Sequence, residues 1–475
     1  MKNIFKILIL LIVSYDVSFT QQVTWQKILN NTGSLHKIQQ INDGNFVAVG
    51  TTRINGYSKI FLVKFNQFGD TLWKRIFSSK QDEFYDGNWV EQTDDKGFII
   101  AGDGPGSISN FYLLKTDSNG VFQWEKNFGG GDLDQAYRVF ETTDKGYIIG
   151  GRTYSFGNGN QKLYLAKTDS VGNLIWETAF GNKSTYFADL LTLKNNDGFI
   201  IMGITGNGTI IYRTNLMGDT LWVRDLGLTI SGCSLKQLYD NTFILGGNLS
   251  PNTSIVKLDT FGLIVWQKSY PQSNLKEDCR SIDEIPNRGF VMAGESDTPN
   301  VVFSVSGFIR ILNYSGDIIN QKYYNPGNDD DYFNSVSNTI DGGFILAGTT
   351  TNRQQQSKMY IVKTDSIGYS QPVHIQNSFQ NSHKGFNLLQ NYPNPFNSST
   401  IINYEIQNKS NINLYLYDAV GRLISILVNS KKDQGIYQFI LNGDDLKLSS
   451  GIYFINLSSD NEIKFSLTKS IVYIK

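Results

Sequence analysis

Between residues 25 and 369 the apolar positions fall in short continuous runs, cut at regular intervals by Asp, Asn and Gly. Runs such as Phe98-Ile99-Ile100-Ala101 and Tyr164-Leu165-Ala166-Lys167 are rich in β-branched and aromatic residues and read as strands. They do not alternate strictly with polar residues, which predicts sheets buried on both faces. The runs belong to a repeat. Its first element is a turn leading into a strand that ends in glycine, as in Asp43-Gly44-Asn45-Phe46 running to Gly50. The aromatic of this element recurs at 46, 98, 147, 199, 243, 290 and 344, seven copies with steps of 52, 49, 52, 44, 47 and 54 residues.

A second element follows each first one, with the pattern Lys-x-Asp/Asn-x-x-Gly-x-x-x-Trp. Its copies run Lys64 to Trp73, Lys115 to Trp124, Lys167 to Trp176, Arg213 to Trp222 and Lys257 to Trp266. The sixth copy is worn, with Ile311 in the basic position and Asn320 in place of tryptophan. The seventh has Lys363, Asp365 and Gly368 but no Trp.

Asx followed by Gly closes tight hairpins, because glycine accepts positive φ and the Asx side chain bonds its own backbone. Each period of about 50 residues then holds about four strands, one propeller blade. The seventh blade lacks its Trp strand, and an orphan copy, Val23-Thr24-Trp25-Gln26-Lys27, sits at the start of the chain. Donating that strand to the last blade would close the ring and leave no open edge. The expected fold is therefore all-β, a seven-bladed propeller over residues 21–369 closed near Trp25; an open array or a β-helix is the competing arrangement. The Gly-x-x-x-Trp segments resemble the tryptophan-docking repeat of the quinoprotein-like propellers. That resemblance implies that Trp25, Trp73, Trp124, Trp176, Trp222 and Trp266 wedge between adjacent blades as structural residues.

Residues 370–385, rich in Gln, Asn, Ser and His, read as a linker. The period then stops, and short strands with Gly turns over residues 386–475 predict a small Ig-like β-sandwich. The module opens on Asn391-Tyr392-Pro393-Asn394-Pro395-Phe396. It continues through Tyr417-Asp418-Ala419-Val420-Gly421-Arg422 and Ser450-Gly451-Ile452-Tyr453, and ends on Lys469-Ser470-Ile471-Val472-Tyr473-Ile474-Lys475. In that order these motifs resemble the type A C-terminal sorting domain of the type IX secretion system, over about residues 388–475. Ser398 departs from a second proline often found after the opening block. The resemblance implies that the type IX translocon is a partner, that the outer membrane is crossed, and that the cargo is released or tethered at the surface. An ordinary Ig-like adhesion domain is the alternative.

The first twenty residues read as a signal peptide: Lys2 and Lys6, an apolar run from Ile7 to Val13, then Ser18 and Thr20 before cleavage at Gln21. That run is too short to span a bilayer, and no other segment is long and apolar enough, so no transmembrane segment is expected in the mature protein. Composition agrees: 40% hydrophobic, 13% aromatic and only 18% charged residues suit a packed β protein. A net charge of −1 with no basic stripe argues against nucleic acid as a partner.

Candidate chemistry is sparse. His36, His374 and His383 are the only histidines, so neither a zinc site nor a Ser or Cys triad with its usual base is expected. No cofactor is expected either: resemblance to the docking repeat brings no quinone site, and the adjacent cysteine pair of many alcohol-oxidising quinoproteins is missing. Cys233 and Cys279 occupy similar places on adjacent repeats; export permits a disulfide, and two buried thiols are the simpler expectation. Acidic residues recur before the inner strands: Asp82, Glu83 and Asp86; Asp132 and Asp134; Glu277 and Asp278; Asp329, Asp330 and Asp331. If they ring one channel mouth, Asp86, Asp134, Asp278 and Asp331 could bind Ca²⁺, which takes six to eight oxygens, or a polar ligand. Solvated loops are the bland reading. The expected function is a surface or secreted binding scaffold for a glycan or protein. A polysaccharide-degrading enzyme using Tyr137 or Arg138 at the mouth is one alternative, and a structural adhesion component the other.

Overall fold

The computed structural model describes residues 23–475 apart from 80–82, 106–109, 182–183, 251, 272–275, 298–304, 327–329, 352–355, 371–385, 389–390, 392–393, 407–408, 419–421 and 460–464. The predicted signal peptide and nearly all of the predicted linker therefore lie outside the described residues. Among the described residues every regular element is a β-strand. The chain divides into two compact units, residues 1–373 and 374–475.

The first unit is a seven-bladed propeller. Five blades are separate four-stranded antiparallel sheets; blades one and seven merge into one seven-stranded sheet because they share a strand. That strand, Trp25–Gln40, pairs through Trp25 to Ile28 with Ser357–Thr364 of blade seven and through Gly33 to Gln40 with Phe46–Ile54 of blade one. The donated N-terminal strand thus closes the ring and removes the edge an open array would expose. The first strands of all seven blades pack against their neighbours in an unbroken circle around a central channel.

The two repeat elements meet within each blade. The element-two cation reaches back to the element-one carboxylate as Lys64–Asp43, Lys115–Asp95, Lys167–Asp144, Arg213–Asp197, Lys257–Asp240 and Lys363–Asp341. Blade six has lost both partners together, carrying Ile311 and Asn287 at those places. Removing only one would strand a charge, and buried Lys363 shows why: its ammonium also bonds the Thr364 carbonyl at 2.8 Å, away from water.

Each indole lies across the turn glycine of the following blade. A Cβ on Gly69, Gly120, Gly172, Gly218, Gly262 or Gly316 would come within 2.6–3.3 Å of the ring of Trp25, Trp73, Trp124, Trp176, Trp222 or Trp266 respectively. These glycines have φ between 71° and 85°, so both backbone conformation and space exclude a side chain. The rings are partly exposed and cap the inter-blade cores of Ile, Leu, Val and Phe side chains beneath them.

The second unit is a two-sheet sandwich. One sheet orders Phe386–Leu388, Ser399–Ile406 and Gly435–Asn442; the other orders Leu423–Lys432, Ser410–Asp418, Gly451–Ser459 and Phe465–Tyr473. Leu388, Phe396, Ile402, Leu414, Leu457 and Tyr473 fill the space between them. No helix among the described residues is long and apolar enough to cross a membrane.

Candidate functional site

All seven first strands carry a register shift at equivalent positions: Leu35/Lys37, Gly87/Trp89, Ala136/Arg138, Phe187/Asp189, Ser231/Ser234, Cys279/Ser281 and Phe333/Ser335. A bulge leaves its extra residue unpaired and re-aims the side chain. Here that device turns a ring of side chains toward the channel. It also joins blades: the His36 ring bonds the Gly87 carbonyl at 2.9 Å, Asn88 donates to the Ala136 carbonyl at 2.8 Å, and Asn334 to the Leu35 carbonyl at 2.8 Å. Each acceptor is the residue just before the bulge of the next blade.

Below this ring a layer of charge fills the channel. Arg138 Nε bonds Asp189 Oδ1 at 2.6 Å and its guanidinium lies 4.2 Å over the Trp89 ring. Lys37 covers the same ring at 4.6 Å and donates to Ser337 Oγ at 3.2 Å. Lys236 sits 3.5 Å from Asp283, whose charge holds its ammonium above the usual range. Burial, and then the like charge of Lys236, bring Lys37 down to about 8, while burial raises the Glu91 carboxyl. Three cations (Lys37, Arg138, Lys236) thus face three carboxyl groups (Glu91, Asp189, Asp283). The remaining cavity here is about 30 Å³, room for little more than one water, so the charge layer leaves little open space at this level.

Beside the charge layer the mouth opens into a groove of about 360 Å³ lined by Arg138, Phe187, Ala188, Ile204, Gly232, Arg280 and Asn334. Arg280 is fixed by Asn334 Oδ1 at 2.8 Å, Glu295 at 3.1 Å and the Tyr332 ring at 4.5 Å. Tyr137 stacks on Phe187 with centroids 5.4 Å apart, and its hydroxyl donates to Gln135 Oε1 at 3.2 Å. The Gln135 amide donates to Asp103 Oδ2 at 2.8 Å. Asp103 stands opposite Asp86 across a strand pair. Burial is the main reason its carboxyl is pushed up to about 7, and the Asp86 charge adds to it.

The acidic residues singled out in the sequence do not form one ring. Asp134, Glu277 and Asp331 lie three residues before the bulge and are buried; Asp86 and Asp278 lie two before it, on the opposite strand face, and are half-buried. Alternation along a strand separates the two sets. Asp134 instead accepts from the Gly130 amide at 2.9 Å and Ser155 Oγ at 2.7 Å, bracing a loop, and Glu277 pairs with Arg310 at 2.7 Å in the interior. Asp132 and Asp330 are exposed and Glu83 is half-buried; Asp82 and Asp329 lie outside the described residues. Among the described residues no three His, Cys, Asp or Glu side chains gather as a metal would require, so the calcium expectation finds no ligand set. Cys279 is a free thiol that burial pushes up to about 12; the Cys233 side chain lies outside the described residues. Sequence reasoning missed Trp89 and the charge layer around it. The available signal was that Trp89 alone of the seven tryptophans stands outside the repeat's Trp strand.

In the second unit, the opening block and the end of the chain form one structure. Asn394 Oδ1 accepts from the Val472 amide at 2.8 Å, the Phe396 amide donates to the Val472 carbonyl at 3.0 Å, and the Ile474 amide to the Phe396 carbonyl at 2.8 Å. Phe396 packs on Tyr473 at 5.1 Å, and Asn391 donates to Thr400 Oγ1 at 2.9 Å. Pro395 is exposed at a bend and Gly451 at the start of its strand, Lys469 is half-buried on the last strand, and the Lys475 amide bonds Ser450 Oγ at 2.8 Å. Tyr392, Pro393 and Gly421 lie outside the described residues.

Residues 390–474 match the family described as the secretion system C-terminal sorting domain. The chain is therefore a propeller fused to a sorting domain, and that domain marks it for type IX export to the cell surface or the medium. No curated protein matches the chain. Among solved structures it is similar to the Dos1 propeller (12% identity, 71% of this chain and 95% of that one, TM-score 0.45). It is also similar to the Cps50 (Swd1) β-propeller domain of Myceliophteria thermophila (8% identity, 71% and 99%, TM-score 0.47). A third is a protein from Lactobacillus plantarum (10% identity, 84% and 99%, TM-score 0.45).

Proposed function

We propose that this exported propeller is a binding scaffold that holds a glycan or a protein segment at its channel mouth outside the cell. The observation that carries this reading is the mouth groove of about 360 Å³ beside the charge layer. Its guanidinium, amide and aromatic groups are already fixed by neighbours, so little side-chain entropy is lost when a ligand is bound. An N-terminal signal peptide cleaved before Gln21 would supply the inner-membrane step, and removal of the sorting domain would follow outer-membrane passage.

Two experiments test the reading. Deleting residues 388–475 should leave the propeller in the periplasm, and its continued arrival at the surface or in the medium would sink the export part. The full chain should bind members of a glycan and peptide array, with Arg280→Ala and Asn334→Ala together weakening that binding without altering the melting temperature by more than a few degrees. Binding indifferent to both substitutions would refute the mouth as the site. One observation favours a second reading, an enzyme: Asp103, at about 7, is suited to take and return a proton beside Asp86 and Tyr137. Cleavage of a polysaccharide by the full chain, lost in Asp103→Asn, is the result that reading requires.

A further inference from the structure

The seam between blades six and seven differs from the other six, and it holds a second sizeable groove among the described residues. Everywhere else an indole covers the turn glycine of the next blade. Here the position belongs to Asn320, whose amide reaches the Ile367 carbonyl at 2.6 Å. It keeps a hydrogen bond comparable to that of the Trp25 indole, which donates to the Gln67 carbonyl at 3.0 Å, but supplies no ring. The nearest neighbours of a Cβ on Gly368 are accordingly aliphatic: Ile309 at 3.2 Å, Lys322 at 3.6 Å and Ile311 at 3.7 Å.

Beside this substitution runs a groove of about 340 Å³ lined by Gln26, Lys322, Tyr323, Asn325, Gly368 and Tyr369, among others. Tyr369 is 50% exposed, so its ring faces solvent at a turn position where the other six blades carry Asp, Asn, Val or Leu. The ring is anchored at its backbone, the Tyr369 amide being tied to Asp365 Oδ1 at 2.7 Å in an Asx turn, whereas Tyr323 on the strand Ile318–Tyr324 turns the other way, its hydroxyl 3.4 Å from Glu277. Gln26 comes from the closing strand itself, where its side-chain oxygen accepts from Tyr360 at 2.5 Å, leaving its amide group to donate elsewhere.

We propose that this seam is a carbohydrate-binding groove, in which the apolar face of a pyranose ring stacks on Tyr369. The hydroxyl edge of the sugar bonds to Gln26, Lys322 and Asn325. A fixed aromatic face combined with a few polar groups suits a ligand that is apolar on its ring faces and polar around its rim. The volume lies at the lower end of the usual range for small-ligand sites, which fits a short stretch of a glycan chain rather than a protein domain. The site is independent of the channel mouth, which lies on the inner strands.

The test is calorimetric titration of the full chain with cellohexaose, xylohexaose, mannohexaose and tetragalacturonate, scored alongside the melting temperature. Saturable binding of at least one of them is expected. Tyr369→Ala, at an exposed turn, should weaken it at least tenfold without shifting the melting temperature. Asn320→Trp should fill the seam as the other six are filled, raising the melting temperature while abolishing binding. No binding by any probe overturns the proposal, as does affinity unchanged in Tyr369→Ala or in Asn320→Trp. Binding lost in the Arg280/Asn334 variant but kept in both seam variants overturns it in favour of the mouth, so the two sites are told apart.

Discussion

Replacing Trp25 by alanine tests ring closure at the residue that makes it. The indole covers Gly69, meets Phe46 at 6.1 Å and Phe65 at 6.4 Å, and donates to the Gln67 carbonyl. A partly exposed indole buries about 150 Å², and at about 25 cal/mol per Å² its loss costs roughly 4 kcal/mol. The hydrogen bond is exposed and adds little. A loss of about 3–5 kcal/mol is therefore expected, close to that of Trp73→Ala, which removes the same contact from an ordinary seam. The assay is urea unfolding followed by far-ultraviolet circular dichroism, with Leu72→Ala, at a half-exposed position, as the control. Gly69→Ala sharpens the test, because its Cβ would lie 2.7 Å from the Trp25 ring at a φ of 85°. Once Trp25 is gone the clash is gone, and only the backbone cost of about 1 kcal/mol remains. The double variant should then lose clearly less than the sum of the single losses. A Trp25→Ala protein as stable as wild type, or strictly additive losses, would refute closure through this strand.

Asp103 predicts a pH dependence. An unfolded aspartate titrates near 4 and the folded carboxyl near 7, so the folded state holds the proton more tightly. Its contribution is full below about pH 4 and is lost as pH rises through 7; Asp103→Asn should flatten the stability profile between those limits, and an unchanged slope would contradict the assignment. In blade seven, Asp341→Asn leaves the buried Lys363 ammonium with a carbonyl as its remaining strong acceptor and should cost about 3–5 kcal/mol by chemical unfolding. Lys363→Met should cost less, since the half-exposed carboxylate left behind is solvated; the reverse order would show that the pair is not held as described.

Much of this protein follows from sequence because a repeat states the same local solution many times. Asx-Gly turns, the glycine under each indole and the basic residue five positions before it are local in sequence, and the blade follows from them. The count of seven, the missing last strand and the orphan Trp25 together forced a closed ring. The sorting motifs were equally legible, since Asn394, Phe396 and the Val472–Ile474 tail are complementary parts of one clamp. The channel was not legible. Which residues face it depends on a bulge in each first strand, and one inserted residue exchanges the two faces of everything before it. That is why Asp86 and Asp134, close in the repeat, point apart, and why Lys37, Trp89, Arg138 and Asp189, from four different blades, meet. Turn chemistry and blade number are short-range properties that sequence alone determines. The charge layer, the mouth and the open sixth seam exist only once seven blades converge on one axis, and only the tertiary structure decides them.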